Sequence, residues 1–218
     1  MLEYYFVSFI DILGFSEMVR KDCHSGSDGP RYLPLITETL KEARALKTAD
    51  AVSIKQFSDS IIISQKFSQT PEDFSAFCNL VGQVQARFLF RGIMCRGGVA
   101  FGKHSEEDDI IFSQALVVAY GIESKISQNP RILVSNELAE LFNLNTTGFC
   151  RDKDGMYFVD FSSHFEATNI RAVVDHVLTE SPLYNHVAAS KSRWLVDYLG
   201  KVFPDEVGGL AAEIEFFA

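Results

Sequence analysis

The stretch Phe9-Ile10-Asp11-Ile12-Leu13-Gly14-Phe15 sets one carboxylate in the middle of a run of apolar, strand-forming residues and ends the run with a glycine. A carboxylate enclosed in such a run costs several kcal/mol or gives up its charge unless something pairs with it. Asp11 therefore needs a partner, and that need restricts how the rest of the chain is arranged. Residues 4 to 13 read as a strand. Gly14 breaks it, and Phe15 to Arg20 begins a helix with Ser16 available as a cap. Further on, AVSIKQF and SIIIS are two β-rich runs meeting at Ser58-Asp59, which reads as a hairpin with a carboxylate at its tip. If the strand ending at Asp11 and this hairpin are antiparallel neighbours, both carboxylates reach one edge of a sheet.

The remaining pattern continues the alternation of strands and helices. After the loop HSGSDGP, expected to be mobile, Tyr32 to Leu46 has apolar residues at helical spacing. Thr70-Pro71-Glu72-Asp73 is a helix start, and Phe74, Phe77, Cys78, Val81, Val84 and Phe88 then share one face. GIMCRGGVAFG is a strand whose Gly97-Gly98 pair predicts a bulge or a backbone approached closely by another element. An acidic loop HSEEDD leads to a helix over Ser113 to Ile126, a strand over Arg131 to Val134, a short helix over Asn136 to Phe142 and a last strand in DGMYFVDF. Beyond His164 the pattern is helical. Ser181-Pro182 separates two helices, and Trp194, Leu195, Tyr198 and Leu199 lie on the apolar face of the second. The order predicts an α+β sandwich, mostly antiparallel, with helices on one face.

Composition narrows the function classes. A formal charge of -9 argues against binding nucleic acid through a broad basic face. No apolar run reaches the length of a membrane span, and the N-terminus lacks a basic region before its apolar run, so no membrane binding and a cytoplasmic location are expected. Cys23, Cys78, Cys95 and Cys150 form no C-x-x-C pair and are expected to be free core thiols. The five histidines show no H-x-x-x-H spacing, and each is expected to be surface or structural rather than a metal ligand.

Taken singly, Asp11 could cap a helix, Asp59 could be an ordinary turn residue and Arg96 a surface cation. Taken together they form a pattern. Asp11-Ile12-Leu13-Gly14-Phe15-Ser16 resembles the D-I-x-G-F-[ST] element of class III nucleotidyl cyclases, and KQFSDSIII resembles their K-x-x-G-D hairpin. CRGGVAFG resembles their R-x-G-[IV]-x-x-G strand, and ALVVAYGIESKISQNPRILVS their following helix and strand. The motifs fall in the family's order and cover roughly residues 4 to 160. The chain length and the stretches ALVVAYGIE and KSRWLVDYL further resemble the bacterial pyrimidine cyclases of Pycsar antiphage defence.

The resemblance implies a ferredoxin-like cyclase sandwich over residues 1–163, with a C-terminal helical extension over 164–218 packed on it. It implies two divalent ions, Mg²⁺ or Mn²⁺, held per active site by Asp11, Asp59 and the Ile12 carbonyl. The phosphates would be held by the backbone of Gly14, Phe15 and Ser16, by Arg96, and by Arg151 or Lys153 of the other subunit of a homodimer. Ser53 falls where the family reads the base, with its partner near Asp109 or Ile110. A small hydroxyl there suits a pyrimidine triphosphate, UTP or CTP, with UTP preferred. The helix positions that steady the transition state in purine cyclases are Val117 and Gly121 here, so either another cation substitutes, with Lys125 and Arg91 as candidates, or the protein is catalytically weak. The cyclic product would be sensed by a separate effector protein. Two rivals stay open: a non-catalytic nucleotide-binding regulator with this fold, and a purine cyclase.

Overall fold

The computed structural model describes residues 1–26, 29–46, 52–108, 110–144, 148–180 and 186–209. In chain order the elements are β1 (Glu3–Ile12), α1 (Phe15–Cys23), α2 (Tyr32–Ala45), β2 (Val52–Phe57), β3 (Ser60–Lys66), α3 (Pro71–Leu89), β4 (Cys95–Glu107) and β5 (Ile110–Ser113). They continue with α4 (Gln114–Lys125), β6 (Ile132–Val134), α5 (Asn136–Phe142), β7 (Phe149–Arg151), β8 (Tyr157–Val159), α6 (Ala167–Glu180), α7 (His186–Val202) and α8 (Pro204–Val207). The strands form one sheet in the order β2-β3-β1-β4-β6-β8-β7, with β5 paired to β4. Every pairing is antiparallel except β4 with β6. The expected α+β class, a mostly antiparallel sheet with C-terminal helices, is the observed one.

Side-chain alternation along β1 divides the molecule. Phe6, Ile10 and Ile12 point into the main core, where they meet Ile36 and Leu40 of α2 and Phe74, Phe77, Val81 and Val84 of α3. Phe6, Phe74, Phe142 and Phe149 interlock there as a chain of ring contacts. Phe9 points to the opposite face and meets Ala119 of α4. Helices thus cover both faces, α2 and α3 one of them, α4 and the C-terminal helices the other, and the glycine pair lets α4 come close. A Cβ on Gly98 would lie 2.5 Å from the Ala119 carbonyl, and one on Gly97 2.3 Å from the Phe9 carbonyl. The close backbone approach expected at Gly97-Gly98 is therefore made by β1 on one residue and by α4 on the next. A second core joins the C-terminal helices to the sheet through Leu133, Phe158, Val174, Leu195 and Leu199.

Several local expectations change. The cap of α1 is Gly14, in the left-handed region at φ 79°, and no side chain caps the helix; Ser16 lies within its first turn. The stretch expected as an acidic loop continues β4 to Glu107, because His104 to Glu107 pair with β5. Residue 109 of that turn, residues 27 and 28 of the HSGSDGP loop, and the Ser181-Pro182 junction lie outside the described residues. Cys78 and Cys95 are buried thiols, but Cys23 is exposed. The start of α2 is capped from outside the helix: the Asp22 carboxylate accepts from the backbone N–H groups of Arg31, Tyr32 and Leu33 at 2.7–2.9 Å. Among the described residues no helix is long and apolar enough to cross a membrane.

Ser58, at the tip of the β2–β3 hairpin, holds φ 56° without being glycine. Such a conformation costs an L-residue about 1 kcal/mol. Ser58→Gly should therefore raise the free energy of unfolding in urea by about 1 kcal/mol, and Gly98→Ala should lower it by about 1–3 kcal/mol by prying α4 off the sheet.

Candidate active site

The register of the sheet builds the site. Asp11 lies opposite Arg96 on β4 and opposite Ser60 on β3, the residue after Asp59. The Ile12 N–H donates to the Asp59 carbonyl at 3.0 Å, which pins the hairpin tip beside the end of β1. Asp11, Ile12 and Asp59 are thereby gathered at one sheet edge, directly before the uncapped first turn of α1 at Gly14, Phe15 and Ser16. An uncapped helix start presents N–H groups and the positive end of the helix dipole to an anion.

Arg96 is not a surface cation. Its Nε lies 3.4 Å from Asp11 Oδ2, its second terminal nitrogen lies 2.6 Å from Glu123 Oε1 on α4, and its first donates to the Ser127 carbonyl at 3.2 Å. Glu123 is 4% exposed. Burial pushes its pKa up; Arg96 opposes that rise and Asp11 adds to it. The Asp11 carboxyl is also raised, first by burial, against the pull of Arg96 and with a further push from Asp59. Two carboxylates thus share one guanidinium, and the nearby Asp59 charge repels both. Glu123 was not singled out in the sequence, although it carries the same signal as Asp11: one acid closing an apolar stretch, here Ala115 to Ile122.

Asp11, Asp59 and the Ile12 carbonyl are hard oxygen donors. Mg²⁺ is held by one or two carboxylates completed by substrate phosphates and water, so this donor set fits two such ions shared with a triphosphate. Among the described residues no group of three or more His, Cys, Asp or Glu side chains is placed to hold a metal by itself.

Ser53 lies two strands away on β2, and its hydroxyl donates to Glu106 Oε1 at 2.7 Å. Among the described residues its partner is Glu106 of β4; Ile110 is 72% exposed, and Asp109 lies outside the described residues. Lys55 Nζ stands 3.2 Å from the same oxygen, and Ser64 reaches the other. Burial works against the Glu106 carboxylate, but the bonds from Ser53 and Lys55 outweigh it and hold its pKa below the usual range. Lys153 and Arg151 lie in and beside the exposed β7–β8 turn, at the far edge of the sheet, and the fold does not bring them to Asp11 within one chain. Val117 is 70% exposed and Gly121 faces open space. Of the suggested substitutes, Arg91 is bound to Glu42 on α2 at 2.7 Å, and Lys125 is exposed.

At the level of sequence, no protein-family model and no curated protein matches the chain. Solved structures do. The adenylyl cyclase CyaB from P. aeruginosa superposes with a TM-score of 0.52 at 18% identity, covering 73% of this chain and 95% of that one. The catalytic core of a rhodopsin-guanylyl cyclase with converted specificity, in complex with ATPαS, gives 0.52 at 15% identity over 72% and 95%. A bacterial light-regulated adenylyl cyclase gives 0.50 at 15% identity over 81% and 58%. The fold is that of the nucleotidyl cyclases. The cyclase fold therefore carries, at the β1 end and the β2–β3 tip, the two carboxylates that the sequence motifs picked out.

A carboxyl whose pKa is raised on folding binds its proton more tightly in the folded chain than in the unfolded one. Its contribution favours the fold at acid pH and is lost as the pH climbs from the ordinary value of 3.8 through the raised one. Ionised Asp11 therefore weighs against the fold at neutral pH. Asp11→Asn should melt at a higher temperature than the parent at pH 7 to 8, and the gap should close toward pH 4. A lower melting temperature for the variant at pH 7 would show that the Arg96 pairing outweighs burial.

Proposed function

We propose that this protein is a metal-dependent nucleotidyl cyclase that converts a pyrimidine nucleoside triphosphate, UTP by preference, into its 3′,5′-cyclic monophosphate and pyrophosphate. The observation that carries the reading is the convergence of Asp11, Asp59 and Arg96 at the start of α1 within a cyclase fold. Two divalent ions bound at the carboxylates would lower the pKa of the ribose 3′-hydroxyl and neutralise charge on the phosphates. The backbone of Gly14 to Ser16 would orient the β- and γ-phosphates. Arg96, with its planar fork already aligned by Glu123, would turn from Asp11 to the phosphates once cations neutralise that carboxylate.

Base recognition is assigned to Ser53 together with Glu106 and Lys55. A carboxylate acceptor beside an ammonium donor complements the N3–H of uracil and its flanking carbonyls. The same pair also complements the amine and ring nitrogen of adenine, and this favours the purine cyclase as the second reading. The neighbouring structures bear the names of adenylyl and guanylyl cyclases, which supports cyclisation without selecting the base. The homodimer is supported by exposed apolar side chains concentrated on β5 and α4, among them Ile110, Phe112, Val117 and Tyr120. By resemblance to the Pycsar cyclases, the product would act as a second messenger in antiphage defence, read by a separate effector.

Purified protein supplied with Mg²⁺ or Mn²⁺ and each of ATP, GTP, CTP and UTP should release pyrophosphate and a cyclic monophosphate from UTP. Asp59→Ala should lose at least about a hundredfold in kcat while keeping its dimeric mass by light scattering. Nucleotide binding without any product would favour the regulator, for which exposed Val117 and open Gly121 are the structural argument.

A further inference from the structure

The C-terminal helix α7 is fastened to the sheet by hydrogen bonds as well as by apolar packing. Trp194 Nε1 donates to Asp152 at 2.8 Å, Tyr198 donates to Asp160 at 2.6 Å, and Leu195 and Leu199 are buried beneath it. Arg131 pairs with both Asp152 and Asp154, so the β7–β8 turn that receives Trp194 is itself tied down. Lys191 precedes Trp194 by three residues and Leu195 by four, which places it on the same face of the helix. That face turns it toward the candidate site. Lys191 lines a cavity of about 500 Å³ together with Leu13, Gly14 and Glu17 and with the charged Arg20 and Lys21 of α1, so the lysine and the start of α1 border one space.

Lys191 lies within electrostatic reach of Arg96, Asp11 and Glu123. It is half-buried, and among the described residues it makes no ion pair. Burial, and then repulsion from Arg96, push its pKa down, while Asp11 and Glu123 act in the opposite direction. Asp11 in turn feels the Lys191 charge. The helix that faces the site from the other side offers no cation at Val117 or Gly121. The motifs shared with cyclases end near residue 160, so α7 lies beyond them.

We propose that Lys191 supplies, from within the same chain, a cation that binds the triphosphate of the nucleotide and offsets the charge of the departing pyrophosphate. This assignment rests on the cyclase reading above. In that reaction the bond from the ribose 3′-oxygen to the α-phosphorus forms as the bond from that phosphorus to its bridging oxygen breaks. The electron pair of the broken bond leaves with pyrophosphate, and the 3′-hydroxyl proton passes to solvent. Lys191 stays protonated throughout and acts by donating N–H groups to phosphate oxygens.

The test uses the full chain in four forms: parent, Lys191→Met, Lys191→Gln and Lys191→Arg. Two probes are titrated by calorimetry, inorganic tripolyphosphate and the non-cyclisable α,β-methylene analogue of UTP, and kcat and KM are measured beside them. Two neutral variants are included so that the result does not depend on how one of them folds. Met and Gln should weaken both probes by about tenfold or more, as expected for loss of a charge-assisted hydrogen bond, and Arg should restore most of the affinity. A purely structural role for the lysine stem would spare the Met variant. Affinities within about twofold of the parent for folded Met and Gln variants, with unchanged kcat and KM, would overturn the assignment. The two readings fail separately. If the parent cyclises no nucleotide yet the neutral variants lose tripolyphosphate, the anion site stands and the cyclase reading falls. If the parent cyclises UTP and the variants do so equally well, only the Lys191 assignment falls.

Discussion

The antiparallel register between β1 and β4 is the constraint on which the site depends. A slip of one residue would turn Asp11 into the core packed by α2 and α3 and turn Phe9 away from Ala119, because side chains alternate between the two faces of a strand. The apolar pattern of β1 forbids that slip, since Phe6, Ile10 and Ile12 would lose the main core. Hydrophobic burial on one face thus fixes where the carboxylate emerges on the other. Gly97 and Gly98 secure the same register from the β4 side, as no larger residue tolerates the approach of Phe9 and α4.

Around that register lies a compact charged group that does not favour folding by itself. Asp11, Glu123 and Arg96 are largely removed from water, and both carboxylates carry raised pKa values because burial acts against their charge. Arrangements of this kind are held in place by their surroundings. Here the surroundings are the sheet, α4 and the C-terminal helices, each anchored by its own apolar contacts.

The parts of this arrangement that are local in the chain were legible from the sequence. The strand ending at Asp11, the hairpin carrying Asp59 and the helix starts at Pro71 and Ser113 each depend on neighbouring residues, and the structure places them within a residue or two of expectation. Contacts distant in the chain were not legible. The partner of Ser53 is Glu106, 53 positions away, and it is reached only because β4 runs past the stretch expected to be a loop. Arg91, a candidate cation on sequence grounds, is committed to Glu42 across the α2–α3 contact. Glu123 and Lys191 acquire meaning only when α4 and α7 are set on the sheet, an event that no periodicity records.

The fastening of α7 also equips the molecule with an internal optical gauge. The chain contains one tryptophan, Trp194, and it sits one turn from Lys191, stacked on Tyr198 and bonded to Asp152. Its indole is partly shielded only while the helix is seated, so ultraviolet emission from the unlabelled protein reports the seating of this single helix, separately from the state of the sheet beneath it.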